Sequence, residues 1–270
     1  MIIDFHTHTF PDAIAQKTIQ HMEQISHSKA HLTGSLSALK QSMIDNNIDY
    51  SVLLPVVTKP SQFDTINQVA ANYNNKDGII SFGGIHPDND HADQKLEYIK
   101  SLGLKGIKLH PDYQGTFIDD PKYISIIKKC IELDLCVVIH AGLDIGLPTP
   151  IHCPVDRAYL ALEEILKNCN KDSKIVLAHV GGHLQWELVE TLLVGKNVYF
   201  DLAYSPTVMN RDTLIRIIQN HGTDHILFAT DSPWSHQGDA ANYIKDLPFT
   251  QNELDEILYK NAANLLGLSQ

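Results

Sequence analysis

The sequence predicts an α/β fold: a closed (β/α)8 TIM barrel formed by a single domain spanning residues 1–270. Three observations predict it. Short apolar runs rich in Val and Ile alternate with amphipathic helical stretches, the pattern of βα units around a parallel sheet. Counted from Ile2 there are eight such units, and no linker or composition break divides them. Seven of the eight runs end in a histidine, an aspartate or both. A barrel gathers its chemistry on the face where all its strands end. An open doubly wound sheet is the rival arrangement, and it brings only some of those ends together.

Taken in order, the first strand is Ile2 to His8, followed by helical spacing from Pro11 to about His27 and from about Leu36 to Asn47. Tyr50 to Val57 reads as a strand and Phe63 to Tyr73 as a helix. Ile79 to Ile85 is then a strand and Ala92 to Leu102 a helix. Leu104 to Leu109 is the fourth strand, with a helix from Pro121 to Leu133, and Cys136 to Ile139 the fifth, with a helix from Val155 to Cys169. Lys174 to Ala178 and Leu184 to Leu193 form the sixth unit, Asn197 to Leu202 and Thr213 to Asn220 the seventh. Ile226 to Thr230 is the eighth strand, and two helical segments run to Gly267.

Bulk properties exclude several classes. The formal net charge is −11, and the three arginines (Arg157, Arg211, Arg216) make no basic stripe, so nucleic acid is not an expected partner. No apolar run approaches the ~20 residues of a membrane span, and the N-terminus enters a strand without a signal-peptide pattern. The four cysteines have no C-x-x-C spacing and are too few for a disulfide framework. A cytoplasmic enzyme acting on a small-molecule substrate is expected, with homo-oligomerisation allowed.

The strand ends carry the chemistry. On a strand His6 and His8 face the same way, giving half of a pre-oriented metal site. The fourth strand ends in Lys108-Leu109-His110, the fifth in His140, the sixth in His179, the seventh in Asp201 and the eighth in Asp231. Imidazoles with a carboxylate suit Zn²⁺, with Mn²⁺ allowed, and an ion of this kind lowers the pKa of bound water towards ~7.

The motifs Asp-Phe-His6-Thr-His8, Gly-Ile-Lys108-Leu-His110-Pro, Ile-His140-Ala-Gly, Ala-His179-Val-Gly-Gly and Ala-Thr-Asp231-Ser-Pro resemble the amidohydrolase superfamily, in its amidohydrolase-2 branch. The resemblance runs from residue 1 to the closing Asn261-Ala-Ala-Asn-Leu-Leu-Gly-Leu. It implies one or two divalent ions, usually zinc, with His6, His8, His140 and Asp231 as metal ligands. It also implies that Asp231 handles the proton and that His179 is catalytic or a ligand of a second ion. The activity expected is metal-dependent hydrolysis of an amide, lactone or ester in a small carboxylate-bearing or cyclic compound. Decarboxylation of an aromatic or semialdehyde acid is the alternative. Relatives that decarboxylate tend to be longer near the first strand, and the modest stretch Pro11–Leu36 favours hydrolysis.

The remaining candidates are weighed singly. His110, His86 and His152 are expected to contact substrate. Lys108 is expected to be buried and charge-paired, rather than a carboxylated bridge between two ions. Asp201 is expected to orient a histidine, and Asp4 to sit one layer below the ligands and buttress the strand. Cys153 and Arg157 are expected to stand outside the chemistry. Trp234 walls the pocket or packs at its rim. His183 and His236 are the only other histidines close enough to a strand end to matter.

Overall fold

The computed structural model describes residues 1–147, 150–167 and 173–268. Among them nine strand segments are present: β1 (Ile3–Thr7), β2 (Tyr50–Leu53), β3 (Ile79–Ser81), β4 (Gly83–Gly84), β5 (Gly106–Leu109), β6 (Cys136–Ile139), β7 (Ile175–Leu177), β8 (Tyr199–Asp201) and β9 (Ile226–Leu227). They pair in the orders β1-β2-β3 and β4-β5-β6-β7-β8-β9, and every pairing is parallel. Only Phe82 separates β3 from β4, and its N–H still donates to the Leu53 carbonyl at 2.9 Å. The two segments therefore occupy one barrel position, and nine segments fill eight positions. The barrel closes where the chain after β9 returns to β1. Phe5 N–H donates to Phe228 O at 2.9 Å, Asp231 N–H to His6 O at 2.9 Å and His8 N–H to Ser232 O at 2.7 Å. That closure excludes the open sheet.

The predicted helices are present with small shifts at their ends, among them Asp12–Ser26, Leu36–Asn46, Phe63–Tyr73 and Pro121–Glu132. The helix expected over 155–169 is Val155–Leu166, and residues 168 and 169 lie outside the described residues. Strands are shorter than expected. The run predicted over 50–57 ends at Leu53, just before Leu54-Pro55, because Pro55 has no N–H to give to a ladder. At the β3–β4 bend the buried Asn67 replaces the missing ladder. Its Nδ2 donates to Gly84 O at 2.9 Å and its Oδ1 accepts from Gly84 N–H at 3.0 Å.

One irregularity decides how the first strand is used. Asp4 pairs with Ser51 and Thr7 with Leu53, so three steps along β1 match two along β2, a one-residue bulge. A bulge reverses the alternation of faces beyond it. Ile3 and Phe5 belong to the cluster that includes Val52, Ile80 and Val138 and is closed by Ala262, Ala263 and Leu266 of the C-terminal helix (Asn261–Leu266), the inside of the barrel. Beyond the bulge His6 and His8 point inside as well. Asp4 points the other way, into the helix layer, where it accepts from Thr230 Oγ1 at 2.6 Å and Gln237 Nε2 at 2.7 Å. The expectation that Asp4 lies beneath the ligands is corrected: it buttresses the strand from outside.

Candidate metal centre

The C-terminal face gathers its histidines with defined tautomers. His6 Nδ1 lies 2.8 Å from Asp201 Oδ2, which can only accept, so that nitrogen carries the proton and Nε2 is bare. His8 Nδ1 lies 3.0 Å from the Leu54 carbonyl, and the same reasoning leaves its Nε2 bare. The two bare nitrogens are 3.0 Å apart, and Asp231 Oδ1 lies 3.5 Å from the first and 3.3 Å from the second. Three acceptors therefore converge. Ligand atoms ~2.1 Å from a tetrahedral zinc ion stand about 3.4 Å apart, so the triad has the spacing of one ion's coordination shell. His179 repeats the arrangement: Nδ1 donates to Ala203 O at 3.0 Å, leaving Nε2 bare and 3.0 Å from His140 Nδ1. His140 thus pairs with His179 instead of joining His6, His8 and Asp231 in one donor cluster, as the expected ligand set had it.

Electrostatics fit this description. His6 is pushed well below its ordinary range by burial and then by Lys108, and His140 by burial and then by its neighbouring imidazoles. Burial alone would raise Asp231, but the fields of His8, His6 and His179 around it outweigh burial and hold the carboxyl at about 2. Asp231 is therefore a carboxylate at any physiological pH. Lys108 is fully buried with Nζ 3.3 Å from His6 Nε2, and burial lowers it to about 8. No carboxylate lies within ion-pair distance of it among the described residues, which corrects the expected charge pair; Asp201, Asp231 and Asp144 act on it only through their fields.

Backbone strain is concentrated here. His179, Val180 and Asp231 have φ of 60°, 56° and 61°, a region that costs a non-glycine residue about 1 kcal/mol or more. Val180 is held there by its N–H donating to Asp201 O at 2.7 Å, and Asp231 by its bond to His6 O.

Around this centre His110 stacks on His140, ring centroids 4.1 Å apart at 11°. Its Nδ1 accepts from Tyr113 N–H and its Nε2 faces Asp144 Oδ2 at 3.3 Å. His110, His140 and Asp144 have donor atoms close enough for an ion, but both His110 nitrogens already face partners, Nδ1 the Tyr113 N–H and Nε2 the Asp144 carboxylate. His152 binds Asp112 Oδ1 through both its N–H (2.7 Å) and Nδ1 (3.1 Å). His86 accepts from Asp88 N–H at 3.1 Å, the loop-capping role. Cys153 is buried and its thiol is pushed up by burial, and Arg157 pairs with Asp119 at 2.8 Å away from the mouth. Trp234 is half-buried. His183 is more central than the sequence suggested: it is buried, 5.7 Å from the His179 ring, lowered to about 4 by burial, and its Nδ1 has no partner. Asp112 and Asp144 were not singled out from sequence. Each follows a strand-end histidine within a few residues, the one signal that pointed to them.

A parallel barrel whose mouth holds four histidines and an aspartate with free lone pairs defines a class of metal-type barrel enzyme. The chain belongs to the amidohydrolase family, whose model matches residues 3–268. Solved structures with the same fold include 2,6-dihydroxybenzoate decarboxylase from Rhizobium, at 16% identity, TM-score 0.69 and 98% of each chain covered. Another is 5-carboxyvanillate decarboxylase from Novosphingobium aromaticivorans, solved with manganese and a nitrobenzoic acid, at 15% identity, TM-score 0.71, and 99% and 96% covered. An uncharacterised TIM-barrel protein from Bordetella bronchiseptica aligns at 15% identity and TM-score 0.73, with 98% of each chain covered. No curated protein matches the chain. No helix among the described residues is long and apolar enough to cross a membrane.

Proposed function

We propose that this protein is a divalent-metal-dependent, non-oxidative decarboxylase of a small aromatic or unsaturated carboxylic acid. The observation that carries the metal is the convergence of His6 Nε2, His8 Nε2 and Asp231 Oδ1, three acceptors within 3.5 Å of one another that one shared cation would reconcile. His140 and His179 supply two further donors beside them, and zinc or manganese suits this nitrogen and oxygen set. The reaction is supported by the decarboxylases that share the fold, which act on hydroxylated benzoates. They are covered over 96–98% of their own length, so the modest first loop does not separate this chain from them. Zinc or manganese, once bound, would draw electron density from the substrate's oxygens. The chain's own residues do the rest. Asp231, a carboxylate, takes the proton of a substrate hydroxyl and passes it to the carbon from which CO₂ leaves, and solvent reprotonates the hydroxyl oxygen, so that in sum R–COO⁻ and H⁺ give R–H and CO₂. His179, fixed by Ala203, holds its lone pair towards the same space.

Hydrolysis of a lactone, amide or ester is the second reading. Asp231, ionised beside the same donor triad, would serve it as the group that accepts a proton from water. A substrate panel separates the two. CO₂ release from hydroxybenzoates or semialdehyde acids by the manganese- or zinc-loaded protein supports the first, and turnover of lactones or amides alone replaces it with the second. Asp231→Asn keeps the left-handed backbone, which asparagine tolerates. It should lower kcat by about 100-fold or more; full activity in that variant would remove Asp231 from the proton path.

A further inference from the structure

Of the buried polar atoms beside the metal centre that lack partners, two lie close to one another. His140 Nε2 and Asp112 Oδ2 are both inaccessible to solvent and without a hydrogen bond, 4.0 Å apart. Such orphans are uncommon and call for a reason. The other Asp112 oxygen is occupied twice over, accepting the N–H and the Nδ1 proton of His152, so the carboxylate is aimed and not free to turn. His140 is held from its other side by stacking on His110.

His140 has two ways to place its single proton. On Nδ1, the proton is donated to the bare His179 Nε2 at 3.0 Å, which closes that pair and leaves Nε2 as a lone pair against a carboxylate. On Nε2, it points at Asp112, and a movement of about 1 Å makes a charge-assisted hydrogen bond of ~2.8 Å. Nδ1 is then bare beside His179 Nε2, and both lone pairs are available to a cation. The three histidines that share its donor space have their protons fixed by a close acceptor: His6 by Asp201, His8 by Leu54 O and His179 by Ala203 O.

We propose that Asp112 is a positioning residue that draws the His140 proton to Nε2 and so opens the His140–His179 pair to a divalent ion. This rests on the metal reading given above. It converts a histidine pair that would otherwise satisfy itself into a ligand pair, and it assigns His152 the task of aiming Asp112.

The test uses a geometric property of asparagine. In Asp112→Asn the His152 N–H demands an oxygen at the Oδ1 position, so the amide NH₂ must face His140 Nε2. That donor makes Nε2 an acceptor and drives the proton to Nδ1, the closed arrangement. Asp112→Ala exerts no preference. Zinc affinity, measured by chelator competition on the full chain, should fall in the order wild type, Asp112→Ala, Asp112→Asn, with the asparagine variant weakened about 10- to 100-fold. A residue that merely braced the His152 loop would give the opposite order, because asparagine keeps the Oδ1 contacts and alanine loses them. That order, or an asparagine variant with wild-type affinity, overturns the proposal. Wild-type protein that binds no zinc overturns the metal reading instead. Nitrogen-15 NMR of the zinc-loaded wild type adds a measurement independent of any variant: His140 should show a hydrogen-bonded, exchange-protected Nε2 proton, and a proton on Nδ1 overturns the proposal.

Discussion

A neutral imidazole has one donor and one acceptor, so each buried histidine states its purpose through what it does with the second nitrogen. At the mouth, His6, His8 and His179 commit the donor to a fixed oxygen and turn the acceptor towards the shared space, which is the arrangement of a ligand. His221 does the reverse. Its Nε2 donates to Val198 O at 2.8 Å, its Nδ1 accepts from Gly195 N–H at 3.1 Å, and its ring stacks on Phe200, so nothing is left over and its role is structural. Burial lowers His221 to about 4, against an ordinary 6.5. The unfolded chain therefore takes up this proton as pH falls through 6.5 while the folded chain refuses it until about 4. The contribution is fully present above 6.5 and is lost as pH falls towards 4, and it amounts to roughly 3 kcal/mol. His221→Gln keeps both hydrogen bonds and cannot titrate. Urea unfolding at about pH 7.5 and about pH 4.5 should show the wild type losing some 2–3 kcal/mol more than this variant. Equal losses would mean that His221 charges freely in the folded state.

At the scale of elements, the site depends on close approaches between loops that follow neighbouring strands. Gly142, after β6, has φ +85°, and a Cβ there would stand 2.2 Å from His183 N and 2.4 Å from His183 O. The close approach lets His183 N–H donate to Ala141 O and Leu143 N–H to His183 O, which sets His183 beside His179. Gly142→Ala combines left-handed strain with a backbone clash and should cost about 2–4 kcal/mol in chemical denaturation. A cost below about 0.5 kcal/mol would show that the loops part easily. Little of this was legible in the sequence, where Gly142 read as a strand-end glycine and His183 only as a histidine close enough to a strand end to matter. What was legible followed from local periodicity. The eight βα units, the helix over Phe63–Tyr73 and the shared orientation of His6 and His8 all depend on spacing within one segment. Asp4 was misplaced because a bulge leaves no mark in the alternation of residues. The pairing of His140 with His179, and the absence among the described residues of an ion pair for Lys108, depend on how segments distant in sequence meet in space.

For the whole molecule, the centre is a place where the folded chain has accepted poor interactions. Asp112, Asp144, Asp201 and Asp231 surround it, and Lys108 is the one fixed cation within it among the described residues. Bare nitrogens face one another across 3.0 Å, and three non-glycine residues sit at positive φ. Such a mouth repels a carboxylate substrate until a divalent ion has entered, so metal is expected to bind before substrate. It also predicts opposite signs for stability with and without metal. An ion that binds only the folded chain stabilises it by RT ln(1 + [L]/Kd), about 2.7 kcal/mol at a hundredfold excess over Kd. In a chain of this size that raises Tm by roughly 5–10 °C. In His8→Gln an amide N–H can donate to His6 Nε2 and to Asp231, replacing an acceptor in the crowded triad by a donor. The metal-free variant should therefore melt above the metal-free wild type, by an amount on the order of 1 kcal/mol. Its zinc increment should largely vanish, because a ligand is gone. Differential scanning calorimetry of both proteins, with chelator and with zinc, reads the two effects separately. A variant less stable than wild type in chelator, yet still raised by zinc as the wild type is, would show that the triad is an ordinary hydrogen-bonded cluster and not a centre built for an ion.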